Sequence, residues 1–329
     1  MPADHAGNEW SRHANKIWRK WLGRDSATGM VEAVHPRGSM SEPGIMRIER
    51  PEEQRVPVIV DVPHAGEWIP ADVHEEMVIG EKVLRRDLDL YVDQIWAKTT
   101  DMGATLVASN VSRYVVDLNR AEDDISPETV DGGKRILRPG YYQDRGVVWR
   151  TTTARTPVMA GPMSKAAFKK RLNTYYHPYH QALTAEIERV KSQFGYCILL
   201  DGHSMPSMGR KGHDDPGRKR AEIVPGDVEG QACDTTLRWL VEEHFREQGF
   251  SVRSNEPYKG GWITRHYGQP QQGVHAIQIE IRRDLYMDER SFRIRREGLE
   301  RLAEACVALI PRCGELDEEA LKPSKRPRF

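Results

Sequence analysis

The sequence predicts one α/β domain over residues 55–312. Three observations predict it. Short β-branched runs alternate with amphipathic helical stretches, two of those runs end in a histidine followed by small residues, and no internal repeat divides the segment. A chain of 329 residues can hold one large core or two ordinary ones, and the unbroken alternation favours the first.

The elements follow in order. VPVIVDVPH (56–64) is a β-branched run closed by a proline, which suits a buried strand and delivers His64 to its end. Residues 81–102 place Val83, Leu84, Leu88, Tyr91, Val92, Ile95 and Trp96 at helical spacing, predicting one amphipathic helix. ATLVAS (104–109) and RYVVDLN (113–119) read as short strands, and the Gly-, Pro- and acid-rich stretch 120–163 as an irregular excursion of the kind that covers sites. A long helix is predicted from Ser164, a good N-cap, to Phe194 before Gly195, with Pro178 as a kink. YCILLDGHS (196–204) then reads as a buried strand whose end presents Asp201, His203 and Ser204. Residues 228–248 read as a helix, SVRSN (251–255) as a strand, and 288–310 as a closing helix. Between the last two, HAIQIEIRR (275–283) is a strand with Ile277, Ile279 and Ile281 on one face and Gln278, Glu280 and Arg282 on the other.

Outside this core, residues 1–54 read as an extension. NEWSRHANKIWRKWLG has Trp10, Ile17, Trp18, Trp21 and Leu22 at roughly helical spacing, and a Gly-, Ser- and Pro-rich linker follows. The reading is a short helix docked on its own domain rather than lying at a membrane surface. Residues 313–329 end in KPSKRPRF, a basic, Pro-broken tail expected to fray.

Charge excludes some partners. Lys plus Arg (49) equals Asp plus Glu (49), so no net field holds nucleic acid or an anionic membrane, and neither partner is expected. No apolar run approaches the roughly 18 residues of a membrane span. The four cysteines (Cys197, Cys233, Cys306, Cys313) lack C-x-x-C spacing and make no disulfide framework, and no signal-like leader opens the sequence. A cytoplasmic location is expected.

Chemistry is read from the strand ends. Ligands of open α/β sheets bind beyond the carboxyl ends of strands, where His64 and His203 both fall. Neutral imidazoles suit zinc, and a catalytic zinc takes three protein ligands and leaves one position open. Candidates for the third ligand are Glu67, which gives H-x-x-E with His64, and Asp89 in RRDLDLYVD, with Asp87 and Asp93 as near rivals. Glu280 stands among isoleucines, where an unpaired ionised carboxylate is costly. It is either a general base aimed into the cleft or the partner of Arg282, Arg283 or another arginine. Arg113, Arg120 and Arg265 fall at strand ends and turns. Their planar forks select a dicarboxylate if they converge on one cleft, and pair with Asp117, Asp123 or Asp124 if they do not. His177 and His180 in YYHPYH read as hydrogen-bonding residues of a helix packing face rather than as a second metal pair.

PHAGEWIP, RDLDLYVDQIW, SRYVVDLNR, YYHPYHQAL, LLDGHSMPS and GGWITRHYGQPQQGVHAIQIEIRRDLYMDE occur in this order. Together they resemble the N-formylglutamate amidohydrolase (N-formylglutamate deformylase) family over residues 55–310. The resemblance implies a three-layer α/β/α fold with a mixed, mainly parallel central sheet, similar to the zinc-dependent exopeptidases. It also implies hydrolysis of N-formyl-L-glutamate to formate and L-glutamate, the last step of one route of histidine degradation. Carried over residue by residue, His64 stands in the family's PH-small-small motif, His203 in its DGHS motif and Glu280 in its Q-x-E strand. Asp89 matches an aspartate of the helix after the first motif, while Glu67 reproduces the H-x-x-E of carboxypeptidase-like enzymes, and the two rank level as third zinc ligand. Glu280 is then the expected base, with Arg113, Arg120 and Arg265 gripping the substrate carboxylates and Asn119 bridging substrate and Arg120. The Gly260-Gly261 pair would allow close backbone approach or let the segment move as a lid. The extension lies outside the family's usual length, and IEIRRDLYMDE is more basic than the histidine-pathway form. Other N-acyl amino acids therefore stay open as substrates, as does a non-catalytic sensor of an acidic metabolite.

Overall fold

In a computed structural model, residues 44–211, 213, 215–317 and 319–321 are described. The predicted N-terminal helix and the last residues of the basic tail lie outside them. Six strands form one sheet: β1 (Met46–Glu49), β2 (Val58–Val62), β3 (Thr105–Ser109), β4 (Cys197–Met205), β5 (Ile223–Gly226) and β6 (Val274–Arg282). Their spatial order is β1-β3-β2-β4-β6-β5. The four inner strands are mutually parallel and both edges are antiparallel, which makes the sheet mixed and mainly parallel as expected.

Every residue of β2, β4 and β6 is buried, as in a sheet covered on both faces. The α-helical segments are α1 (Ala71–His74), α2 (Glu81–Leu84), α3 (Val92–Ile95), α4 (Lys165–Arg171), α5 (His177–Phe194), α6 (Thr235–Glu247), α7 (Trp262–Tyr267) and α8 (Arg296–Gly314). On one face Tyr179 of α5 donates to Asp61, and Thr264 of α7 donates to Asp201 at 2.8 Å. On the other, a Cβ on Gly202 would fall 2.6 Å from the Trp96 indole nitrogen just after α3, and α8 packs behind α3. Asp61 and Asp201 are register partners on β2 and β4. Burial and the neighbouring Asp201 raise the Asp61 pKa well above the usual carboxylate range.

Several elements differ from expectation, each for a local reason. The helix predicted over 81–102 is broken: α2 passes into a 3₁₀ turn at Arg85–Asp87, Leu88 is extended (φ −79°, ψ 152°) and Tyr91 is left-handed (φ 68°) before α3. The break lets the Asp89 N–H donate to the His64 carbonyl at 3.0 Å, and helical spacing survives because Leu84, Leu88, Val92, Ile95 and Trp96 are still buried. Residues 113–119 form no strand; Asp117 holds them as a buried irregular segment by accepting from the Asn119 N–H at 2.9 Å. The helix from Ser164 is present, its cap accepting from the Ala167 N–H at 3.1 Å. A π turn at Leu172–Tyr176 divides it just before Pro178, whose missing N–H cannot continue the regular ladder.

Further along, α6 starts at Thr235 behind an Asp234 cap, later than predicted. Edge strand β5 contains Pro225, the residue that masks a strand in sequence, while the predicted strand 251–255 supplies only a Val252–Ile223 bridge. The closing helix α8 is shifted to Arg296–Gly314. Both flanks reach into the domain: β1 lies inside the stretch read as linker, and Cys313 and Leu321 of the stretch read as tail are buried. No helix among the described residues is long and apolar enough to cross a membrane.

His180 sits between α5 and its neighbours, sharing hydrogen bonds with the Tyr267 hydroxyl (2.9 Å) and the Leu118 carbonyl (3.0 Å). Burial, aided by His266, lowers its pKa from 6.5 to about 3. The unfolded chain protonates this imidazole near 6.5 and the fold does not, so its stabilising contribution is intact above that pH and is lost progressively as pH falls toward 3. Replacement by Gln should flatten the stability profile between pH 6.5 and 5 relative to the parent, by about 2 kcal/mol at pH 5. Urea unfolding across that window, with both proteins chelator-treated, measures the difference.

Candidate active site

β2 ends two residues before His64, and the turn that follows fits only glycine at Gly66, where a Cβ would lie 2.4 Å from the Asn110 carbonyl carbon. That close approach folds the chain back so that the imidazole faces the carboxyl end of the sheet. His203 reaches the same place from the end of β4, and parallel register sets it beside Glu280 of β6. The helix break at 88–91 brings in Asp89.

His64, Asp89 and His203 are buried and each offers a ligand atom, all within 4.8 Å of one another. Asp89 Oδ2 lies 2.9 Å from His203 Nδ1 and 3.6 Å from His64 Nδ1. The far nitrogens are held from behind. His64 Nε2 is bonded to Asp117 Oδ1 at 2.7 Å. His203 Nε2 lies 2.8 Å from Asp201 Oδ1 and 3.0 Å from Asn119 Nδ2. His64 Nδ1 is buried with no hydrogen-bond partner among the described residues, which is what a nitrogen reserved for a cation looks like. Two imidazole nitrogens and one carboxylate oxygen are also a donor set that suits zinc.

Electrostatics agree with the grouping. Although burial opposes it, His203, His64 and Arg283 hold Asp89 well below the usual carboxylate range. Arg283 donates to Asp89 Oδ1 at 2.8 Å and to Ser204 Oγ at 3.0 Å. Glu280 differs: burial pushes it up to about 7. Its Oε1 accepts from Gln278 Nε2 at 3.0 Å, and its Oε2 is buried with no hydrogen-bond partner among the described residues. The ion pair that would make Glu280 purely structural is absent among the described residues, since Arg283 serves Asp89 and Arg282 serves Asp284 at 2.6 Å.

The remaining predicted residues divide. Glu67 is outside the cluster, half-exposed and paired with Arg85 at 3.0 Å; Asp93 pairs with Arg47 at 3.0 Å. Buried Asp87 accepts from Tyr114 at 2.8 Å. Arg113 is forked onto Asp117 (2.7 and 3.1 Å), the structural alternative foreseen for it. Asn119 is inside the site, with Oδ1 accepting from the Ile263 N–H at 2.7 Å. Arg120 donates to the carbonyls of Asn119 (2.7 Å) and Arg145 (3.2 Å) and lies over the Tyr142 ring, while Arg265 is exposed on α7. His177 pairs with Glu122 on the surface, and of the two YYHPYH histidines His180 is the packing residue. Gly261 is the close approach expected, since a Cβ there would lie 2.2 Å from Asn119 Nδ2.

Asp117, Asp201 and Arg283, which sequence reasoning named only as an arginine's partner, a strand-end residue and a possible partner of Glu280, are the residues whose role in holding the cluster it did not assign. The two aspartates carry the signal that singled out Glu280, an acid inside an apolar run (VVDLN, LLDGH).

A family model described as N-formylglutamate amidohydrolase matches residues 56–287, a span that contains His64, Asp89, His203 and Glu280. The chain belongs to the N-formylglutamate amidohydrolase family. It is 32% identical over 268 residues to an N-formylglutamate deformylase of Pseudomonas aeruginosa, covering 78% of this chain and 90% of that one. An N-formylglutamate deformylase of Pseudomonas putida is 31% identical over 246 residues, covering 71% and 83%. A crystal structure of N-formylglutamate amidohydrolase from Ralstonia eutropha JMP134 superposes with a TM-score of 0.75 at 32% identity, over 83% of this chain and 98% of that one. A gene product of Agrobacterium tumefaciens, at 21% identity and a TM-score of 0.58, shares the fold. As a member of the family, the protein is an enzyme, an amidohydrolase.

Asp117 accepts from Arg113, the Asn119 N–H and the Trp149 indole at 2.9 Å while bonding His64. Asp117→Asn leaves a buried guanidinium without its counter-charge and should cost about 3 kcal/mol of stability. Urea unfolding of chelator-treated protein checks it.

Proposed function

We propose that the protein hydrolyses N-formyl-L-glutamate to formate and L-glutamate, the closing step of one route of histidine degradation, with zinc held by His64, Asp89 and His203. The observation that carries this reading is the convergence of those three side chains on one point, with Glu280 beside His203 and one of its oxygens free. What bound zinc supplies is Lewis acidity, lowering the pKa of a water toward neutrality and polarising the formamide oxygen.

The chain does the rest. Asp117 behind His64, with Asp201 and Asn119 behind His203, fixes both rings so that their Nδ1 atoms face Asp89. Glu280 takes the proton of the attacking water and returns it to the leaving amine, and its burial keeps it basic enough for both transfers. Asn119 and Arg120 receive the carboxylate nearest the scissile bond and orient it. The three-layer frame, with both histidines at strand ends, supports the likeness to zinc-dependent exopeptidases. A cytoplasmic location is part of the reading, supported by four buried cysteines that are all free thiols. A second reading, hydrolysis of another N-acyl amino acid or a small peptide, is favoured by one observation: of the three arginines expected to select a dicarboxylate, Arg113 is spent on Asp117 and Arg265 is exposed.

Formate release from N-formyl-L-glutamate by purified protein, before and after chelation and zinc restoration, tests the proposal. Release that stops on chelation and returns with zinc is expected; zinc-loaded protein that releases none refutes it. Glu280→Gln should lower kcat at least about 1,000-fold with zinc content unchanged. Because protonation removes the base, kcat/KM of the parent should fall as pH drops below Glu280's pKa, read in a pH–rate profile. Asp89→Asn should lose stoichiometric zinc and Glu67→Gln should keep it, as measured by metal analysis after dialysis.

A further inference from the structure

A dicarboxylate offers two anionic groups, yet most arginines around the site have partners of their own, and Arg265, one of the three expected to receive the substrate, is exposed. Arg113 belongs to Asp117, Arg283 to Asp89, Arg220 to Asp215 at 2.8 Å, and Arg120 gives two of its donors to the main-chain carbonyls of Asn119 and Arg145. Arg145 is different. It is part-buried, and among the described residues nothing accepts a hydrogen bond from its guanidinium and no carboxylate pairs with it. Burial lowers its pKa, and Arg120, Arg113 and Arg155 lower it further against Asp87 alone. A part-buried cation among cations is unfavourable unless an anion completes it.

Its position is built rather than incidental. The turn that carries it is held from within, because the Asp124 carboxylate accepts from the Tyr142 and Gln143 N–H groups at 2.8 Å each and the Asp124 carbonyl accepts from the Val147 N–H at 2.9 Å. Only glycine fits next to it: a Cβ on Gly146 would fall 1.9 Å from the Asp124 carbonyl oxygen. The Arg145 carbonyl accepts from Arg120 Nε, and its guanidinium carbon lies 6.0 Å from the Trp149 ring centroid. Arg113 stacks on the same ring at 4.5 Å, and the Trp149 indole donates to Asp117, the carboxylate behind His64. One tryptophan therefore separates Arg145 from the groups that hold the cluster, while Arg120 follows Asn119, whose side chain contacts His203.

We propose that Arg145 grips the side-chain carboxylate of the substrate, the Asn119–Arg120 pair receives the carboxylate beside the scissile amide, and Arg145 thereby sets the preference for acidic over neutral N-formyl amino acids. The inference rests on the deformylase reading above. The held turn fixes where Arg145 leaves the main chain, and its planar fork matches a carboxylate with two parallel donors.

The test compares kcat/KM for N-formyl-L-glutamate and N-formyl-L-glutamine, which differ only in that carboxylate, for the parent, Arg145→Met and Arg145→Lys. It is paired with calorimetric binding of L-glutamate and L-glutamine. The preference for the acidic substrate should fall about 10- to 100-fold in Arg145→Met, mainly through KM, with part of it kept in Arg145→Lys. A ratio taken on one preparation is insensitive to partial loss of folded protein. An unchanged ratio, equal losses on both substrates, or a parent with no preference in either assay overturns the proposal. If the parent releases no formate from either substrate but binds L-glutamate more tightly than L-glutamine, and Arg145→Met abolishes the difference, the grip stands and the deformylase reading alone falls.

Discussion

An ionised carboxylate in a dry sheet core must be neutralised, paired or multiply hydrogen-bonded, and this domain buries Asp61, Asp89, Asp117, Asp201 and Glu280 around one end of its sheet. The arrangement follows from how each is satisfied. Asp117 gathers a histidine, an arginine, an indole and a backbone amide. Asp89 gathers both histidines and Arg283. Burial and the neighbouring Asp201 push the Asp61 pKa up, and Tyr179 donates to its carboxyl. Glu280 stands beside His203 and, like Asp61 and Asp201, keeps one oxygen without a hydrogen bond among the described residues. Asp89 and Asp117 thus hold other groups in place, while burial pushes Glu280, beside the cluster, up to about 7.

The frame was legible where a single physical signal dominated. β2, β4 and β6 are apolar runs too continuous for anything but covered strands, and they place His64, His203 and Glu280 where the sequence reading put them. The signal failed where tertiary demands overrode a local pattern. Residues 81–102 have helical spacing, yet the chain breaks at Leu88 and Tyr91 because Asp89 has to turn inward toward the histidines. VVDLN has strand composition, yet its aspartate is needed as a hub, and an extended segment would point it elsewhere. β5 was hidden by Pro225, a residue that an edge strand tolerates and a central one does not.

Within the site, spacing along the chain was a weaker guide than burial. Glu67 stands three residues after His64 and satisfies a familiar pattern, but its side chain is half in water and held by Arg85. Asp89 has no diagnostic spacing, but lies in the same dry pocket as both imidazoles. The arginines show the same contrast. Which guanidinium is free to meet a ligand depends on where each carboxylate ends up, and pairings such as Arg113 with Asp117 are set by the fold rather than by composition.

The parallel pairing of β2, β4 and β6 has a consequence for how this molecule comes into being. The three cluster residues are separated by 25 and 114 positions, since they stand at 64, 89 and 203, and β6 arrives later still. Parallel strands cannot be zipped by a hairpin and pair only after the intervening chain has been threaded and compacted. No fragment made during synthesis therefore holds the complete constellation until the last inner strand is docked. Assembly of the His64–Asp89–His203 cluster, with Glu280 beside it, is a late event in the life of the chain, one that a nascent or misassembled copy has not reached.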